Sequence, residues 1–268
     1  MKNYIGILLK KYFPYFYREL IFRKEGRYQY EFRPNIQYPD SFINKTIEIA
    51  SNKSEVRNTI FCFWTGNNEM SDNRKRGLKS LRDKTGVSVT LITPDNLQEY
   101  VLKDFPLHPG YELLSLVHKS DYLRCYFMHH YGGGYADVKT FHYSWEKAFN
   151  KLKTKTDSYI IGYPEIGGIA PVGGKLYDDL KFHYVLLIGN GAYICKSYTD
   201  FTTEWYTELQ YRMDENFEKL KQFKNGALPD YPIEYTYLLG QIFHPLSLKY
   251  HKKLLKDLDL MPDFKDYH

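Results

Sequence analysis

Apolar residues along this 268-residue chain change their spacing several times, and each change marks an element. Thr59–Trp64 (TIFCFW) is a short unbroken apolar run closed by Thr65-Gly66-Asn67-Asn68, the pattern of a strand buried on both faces and ending in a loop. The charged stretch Ser71–Lys84 predicts a helix, Val87–Thr93 a second strand, and Pro94–Lys103 a helix opened by proline. From Tyr111 to His130 the spacing is helical, halted by Gly132-Gly133-Gly134, with a strand expected over Tyr135–Val138. Tyr159–Tyr163 and Phe182–Ile188 are further strand candidates, Gly189-Asn190-Gly191 a turn, and Ala192–Cys195 a short extended piece. Ser197–Phe223 predicts a long helix. A last helix is expected over Leu246–Leu258, with Lys249, Lys252, Lys253 and Lys256 at helical spacing along a solvated face or, alternatively, a second membrane-facing surface.

Strand and helix in alternation predict an α/β fold: one Rossmann-type domain with a mostly parallel sheet flanked by helices, and helical additions at both ends. The expected division is 1–58, a basic-aromatic helical segment and connector with a short helix over Ser41–Ala50, and 59–268, the α/β domain with its C-terminal helices. Ligands in such sheets sit beyond the carboxyl ends of the strands. Trp64 and the loop after it stand there. Asn190 would too, as a donor-sugar contact or simply as a turn residue.

Charge adds a second feature, because the whole net charge of +5 lies in residues 1–27, where seven cations face Glu19 and Glu25. Interleaved Tyr, Phe, Leu and Ile give that segment the composition of a helix lying on an anionic bilayer, here the cytoplasmic face of an inner membrane; docking on its own domain is the alternative. Its longest apolar run, Ile5–Leu9, is too short to span. A nucleic-acid partner is not expected, since the remaining chain is neutral. Cys62, Cys125 and Cys195 lack disulfide or CxxC spacing and point to a reducing compartment.

The stretch Ser120–Phe141 (SDYLRCYFMHHYGGGYADVKTF) holds the chemistry. Asp121 and Arg124 are three apart, on one helix face, and the glycines then reverse the chain into a strand carrying Asp137. Lys139 is two residues on and shares that strand face. No P-loop, GxSxG elbow, HExxH or strand-borne GxGxxG is present.

This pattern, S-D-x-x-R followed by an apolar helix and Y-G-G-x-Y-x-D, resembles the capsular polysaccharide synthesis and DXD-sugar-binding glycosyltransferases, which are similar to glycosyltransferase family 32 and, more distantly, to the glucosylating bacterial toxins. The resemblance is strong over about twenty residues and weaker over 59–200. It implies a GT-A-type fold and transfer of a sugar, with retention of configuration, from a nucleotide-sugar donor, UDP above all, to a glycan or lipid-linked glycan of a bacterial surface polysaccharide or lipooligosaccharide. The donor-site residues it implies are Trp64 against the base, with Thr65 and Gly66 in its loop, Asp121 and Arg124 toward ribose and sugar, Gly133, Tyr135 lining the pocket, and Asp137 opening the D-x-D. In place of the second aspartate stands Lys139. An ammonium there would neutralise the leaving diphosphate and weaken dependence on Mn²⁺ or Mg²⁺; the alternative is a metal held by Asp137 with a distant carboxylate such as Asp230 or Glu234. Asp137, Lys139 and Asn190 are accordingly the candidate catalytic residues. A silent nucleotide-sugar- or glycan-binding protein is the reading from another class.

Overall fold

The computed structural model describes residue 10 and residues 13–33, 36–45, 54–223 and 231–265. Six strands form one sheet in the order β2-β1-β3-β5-β4-β6: β1 (Thr59–Phe63), β2 (Ser88–Ile92), β3 (Gly133–Ala136), β4 (Ile160–Pro164), β5 (Ile188–Cys195) and β6 (Leu254–Lys256). Five run in one direction and β5 runs against its neighbours β3 and β4. The described helices are α1 (Pro14–Lys24), α2 (Asp72–Lys84), α3 (Leu116–His130), α4 (Glu146–Thr154), α5 (Gly174–Phe182), α6 (Asp200–Gln222) and α7 (Gly240–Lys249).

Strand β1 has no polar alternation because both of its faces are covered. Phe61 and Phe63 join the apolar layer made with α3, α5, α6 and α7. Ile60 and Cys62 join the opposite layer, with Leu78 and Leu81 of α2 and Phe149 and Leu152 of α4. The α/β class with a mostly parallel, helix-flanked sheet is therefore the observed one. All three cysteines are buried free thiols.

Several elements differ from expectation. The strand expected over Tyr135–Val138 is observed as β3, Gly133–Ala136, so Asp137 and Lys139 follow the strand and do not lie on it, and the helix expected from Tyr111 is a 3₁₀ turn, Pro109–Leu113, followed by α3. Over 94–103 only a 3₁₀ turn forms, Leu97–Tyr100, because the Asn96 amide closes a local turn, accepting from Thr93 N at 2.8 Å and donating to Leu91 O at 3.0 Å. Phe182–Ile188 is not a strand: Phe182 ends α5, Tyr184–Leu186 is a 3₁₀ turn, and β5 begins at Ile188. Nor do Gly189-Asn190-Gly191 make a turn. They lie within β5, where the Tyr163 ring of β4 occupies the space a Gly189 side chain would need.

The expected helix over 246–258 is instead the end of α7, which stops at Lys249, followed by the edge strand β6 paired with β4. Lys249 and Lys256 do not share a solvated face. The first forms an ion pair with Glu204 at 2.7 Å, and the second is half-buried and donates to the Val185 carbonyl. Of the short helix expected over 41–50, a 3₁₀ turn at Phe42–Asn44 is described; residues 46–53 lie outside the described residues.

Candidate functional site

Two tight junctions bring α3 and β3 together at the carboxyl edge of the sheet. Ser115 caps α3 by accepting from His118 N, and Thr65, in the loop after β1, donates to the Leu116 carbonyl at 2.6 Å. Beyond α3, Gly132 and Gly133 take φ of +62° and +90°, and a Cβ on either would strike the backbone of residues 55–59. The chain thus leaves the helix and enters β3 directly, so that Asp121 and Arg124 face the strand that leads to Asp137.

Asp137 is the hub. Its Oδ1 accepts from the Tyr135 hydroxyl at 2.5 Å and faces Arg124 at 3.2 Å, while its Oδ2 lies 2.8 Å from the Lys139 ammonium. Arg124 rests over the Tyr135 ring at 4.5 Å, donates to the Asn190 carbonyl at 3.4 Å, and stands 3.7 Å from Asp121. Burial pushes the Asp137 carboxyl up, but Arg124 and Lys139 more than offset this and hold it below its ordinary range. Asp121 goes the other way: burial, with a smaller push from Asp137, raises it to about 7 against the pull of Arg124.

These groups border an open cavity of about 240 Å³ lined by Trp64, Thr65, Gly66, Arg74, Ser120, Arg124, Tyr135, Asp137 and Tyr235 among others. Trp64 and Thr65 also line an adjoining cleft of about 70 Å³ with Thr93, Pro94 and Gln98. The Trp64 indole is fixed by donation to the Asn68 carbonyl at 2.8 Å. A larger cavity, about 650 Å³, lies elsewhere between residues 36–45, α5 and α6, and contains none of the sequence-predicted site residues. The smaller one is the candidate site because its cations and carboxylates converge there.

Five expected residues, Trp64, Thr65, Gly66, Arg124 and Tyr135, therefore meet around Asp137 in one cavity. Asp121 is buried behind Arg124, Asn190 contributes its carbonyl from β5, and Gly133 opens β3 at the end away from Asp137. Lys139 is not among the residues lining the cavity; it lines a small neighbouring cleft with Arg74, Asp263 and Lys265.

The helix expected over Ser71–Lys84 is observed as α2, but sequence reasoning missed the part that its Arg74 plays in the cavity. Along α2, Arg74, Gly77 and Ser80 recur every third residue and grip the segment after β3. Arg74 donates to Val138 O at 2.9 Å, Ser80 Oγ accepts from Phe141 N at 3.0 Å, and a Gly77 Cβ would stand 2.9 Å from the Lys139 carbonyl carbon. The available signal was a glycine inside an otherwise charged helix, where it costs about 1 kcal/mol unless a neighbour must approach closely.

Asp137 in this arrangement is engaged by cations and a hydroxyl and is not open to a metal. Both Asp137 oxygens already carry cationic or hydroxyl donors, and among the described residues no group of three or more His, Cys, Asp or Glu converges. Asp230 lies outside the described residues, and the Glu234 carboxylate accepts from Gln241 at 3.0 Å. The charged residues that line the cavity, Arg74 and Arg124 against Asp137, leave it net positive and suited to an anion.

A Rossmann-like α/β protein with an electropositive cavity at the strand ends is thus defined. Residues 13–166, more than half the chain, match the family model described as capsular polysaccharide synthesis protein, and the chain belongs to that family. A search of curated proteins finds no match.

Proposed function

We propose that this member of the capsule-synthesis family is a glycosyltransferase that moves a sugar from a UDP-sugar to a glycan acceptor. The observation that carries the reading is the convergence of an aromatic wall, Trp64, with Arg74, Arg124 and Asp137 around one cavity at the carboxyl edge. A nucleoside diphosphate-sugar needs such a combination: a flat apolar face for the base, cations for the diphosphate, and hydrogen-bonding groups for ribose and sugar.

In this reading Trp64 stacks on uracil and Arg124 reaches ribose and sugar, with Asp121 behind it positioning the guanidinium. As the bond from the anomeric carbon to the diphosphate oxygen breaks, negative charge grows on the leaving diphosphate. Arg74 and Arg124 neutralise it from the cavity side. Lys139 acts through Asp137, fixing the carboxylate that in turn aims Arg124, and the cationic groups take over the task that a D-x-D assigns to a metal. Retention, with the leaving phosphate accepting the acceptor's proton, is the outcome adopted from the family resemblance.

Calorimetric titration with uridine, UMP and UDP tests the reading. Affinity should rise at each added phosphate; equal affinities, or no binding of UDP, would sink it. The silent-protein reading draws on Lys139 in place of an aspartate, and predicts UDP-sugar binding without turnover across donors and acceptors.

A further inference from the structure

Helix α1 is attached to the body along one side. The Phe22 ring meets Tyr184 edge-on at 6.0 Å, the Arg27 guanidinium lies 5.0 Å over Phe182 and donates to its carbonyl at 3.3 Å, and the Arg27 carbonyl contacts His183 Nδ1 at 2.8 Å. Tyr28 donates to Glu19 at 2.5 Å and takes up one of the segment's two carboxylates. No residue of α1 is fully buried.

Exposed Tyr15 lies about 100° round the helix from Phe16; the other side carries Phe13 at the N-cap, then Phe16 and Leu20 within the helix, spaced i, i+3 and i+7 in one row. They are 62, 55 and 44% exposed. Arg23 and Lys24, both exposed, follow one turn on, and Lys10 precedes the stripe. An isolated exposed apolar residue needs no explanation, but an aligned series of them beside cations does.

We propose that this stripe is a membrane-docking surface, with Phe13, Phe16 and Leu20 entering the headgroup boundary of an anionic bilayer and Lys10, Arg23 and Lys24 pairing with its lipid phosphates. Charge complementarity selects this occupant: the chain's whole net charge of +5 resides in residues 1–27, and the remainder is neutral. A second copy of the chain would bring like charges together. A nucleic acid would require cations along a track, whereas here three bulky apolar groups lie between them. Among the described residues no helix is long and apolar enough to cross a membrane, so the contact is with the surface. The anchoring through Phe22 and Arg27 holds the body against that surface.

The experiment is co-sedimentation of the full chain with vesicles of phosphatidylglycerol and phosphatidylethanolamine, beside vesicles of phosphatidylcholine alone. Binding is expected on the anionic vesicles only. Arg23→Gln with Lys24→Gln should weaken it by roughly tenfold or more, as should Phe13→Ser with Phe16→Ser. Because these side chains are exposed, the variants keep the wild-type melting temperature. In a Phe16→Trp variant, with its added indole as reporter, emission shifts to the blue on anionic vesicles. Equal binding to both vesicle types, a change below twofold in both double variants, an unshifted Phe16→Trp spectrum, or a stripe occupied by self-association or by DNA would each overturn the proposal.

Discussion

The Lys139 ammonium stands 2.8 Å from Asp137 Oδ2, at the position where the resemblance to D-x-D glycosyltransferases implies a second carboxylate. One substitution tests what this pair does. Lys139→Asp removes the cation and returns the D-x-D arrangement, so UDP binding should become tighter in Mn²⁺ and weaker in EDTA. In the wild type, UDP affinity should change less than about threefold between the two. Wild-type binding abolished by EDTA and restored by Mn²⁺ would assign the diphosphate to a metal instead.

Gly77 lets α2 lie directly on the Lys139 backbone. Gly77→Val forces that segment away and should cost about 1–3 kcal/mol of stability in urea unfolding. Donor affinity should fall with it, because Arg74 sits one turn earlier on the same helix and donates to Val138. Unchanged stability and affinity would mean that the contact has no structural weight.

Arg74 and Trp64 line one cavity, and the proposed function gives them different parts of the donor, the diphosphate and the base. Replacing Arg74 by Gln should weaken UDP by roughly tenfold, the worth of one charge-assisted hydrogen bond, while uridine binds as before. Trp64→Ala should weaken both ligands alike, by about 1–3 kcal/mol, the range for a base stacked on an aromatic ring. Calorimetry separates the two patterns, and equal losses of uridine in both variants would contradict the assignment.

Asp121 gives a pH signature. Its folded-state pKa of about 7 lies above the value of about 4 for an unfolded aspartate, so the folded state holds the proton more tightly. Stability from this group is full below about pH 4 and is lost as pH rises toward 7. Asp121→Asn should therefore gain stability relative to wild type across that window, by roughly 2–4 kcal/mol at the upper end. His129 and His130 work in the opposite sense, since burial lowers them to about 3 and about 4, and they remove stability as pH falls below about 6.5. The difference between wild type and Asp121→Asn in urea melts cancels the histidine contribution. A flat difference from pH 4 to 8 would show that Asp121 is ionised throughout.

The sequence was legible where local signals agreed with the fold. The unbroken apolar run of β1, the helical spacing of α3 and the glycine reversal before β3 all correspond to observed elements, and with them came the meeting of Arg124, Asp137 and Trp64. It was illegible where an apolar run has the same composition in a strand, a 3₁₀ turn or a helix end, as over 182–188. Glycines misled at Gly189, whose small size serves the Tyr163 ring of a neighbouring strand and not a turn. Arg74 stayed hidden for a related reason. Its part in the cavity follows from α2 packing across the segment after β3, a contact between residues 64 apart that no local spacing records.

Activation of a UDP-sugar at the cavity around Asp137, without a resident metal, is the core of the proposed function. Its most direct test is release of UDP from a panel of UDP-sugars, measured with the intact protein in Mn²⁺ and in EDTA, alongside Asp137→Asn. At least one donor should release UDP at comparable rates in Mn²⁺ and EDTA, and Asp137→Asn should abolish the release. No release from any donor, or release that Asp137→Asn leaves unchanged, would contradict the proposed function.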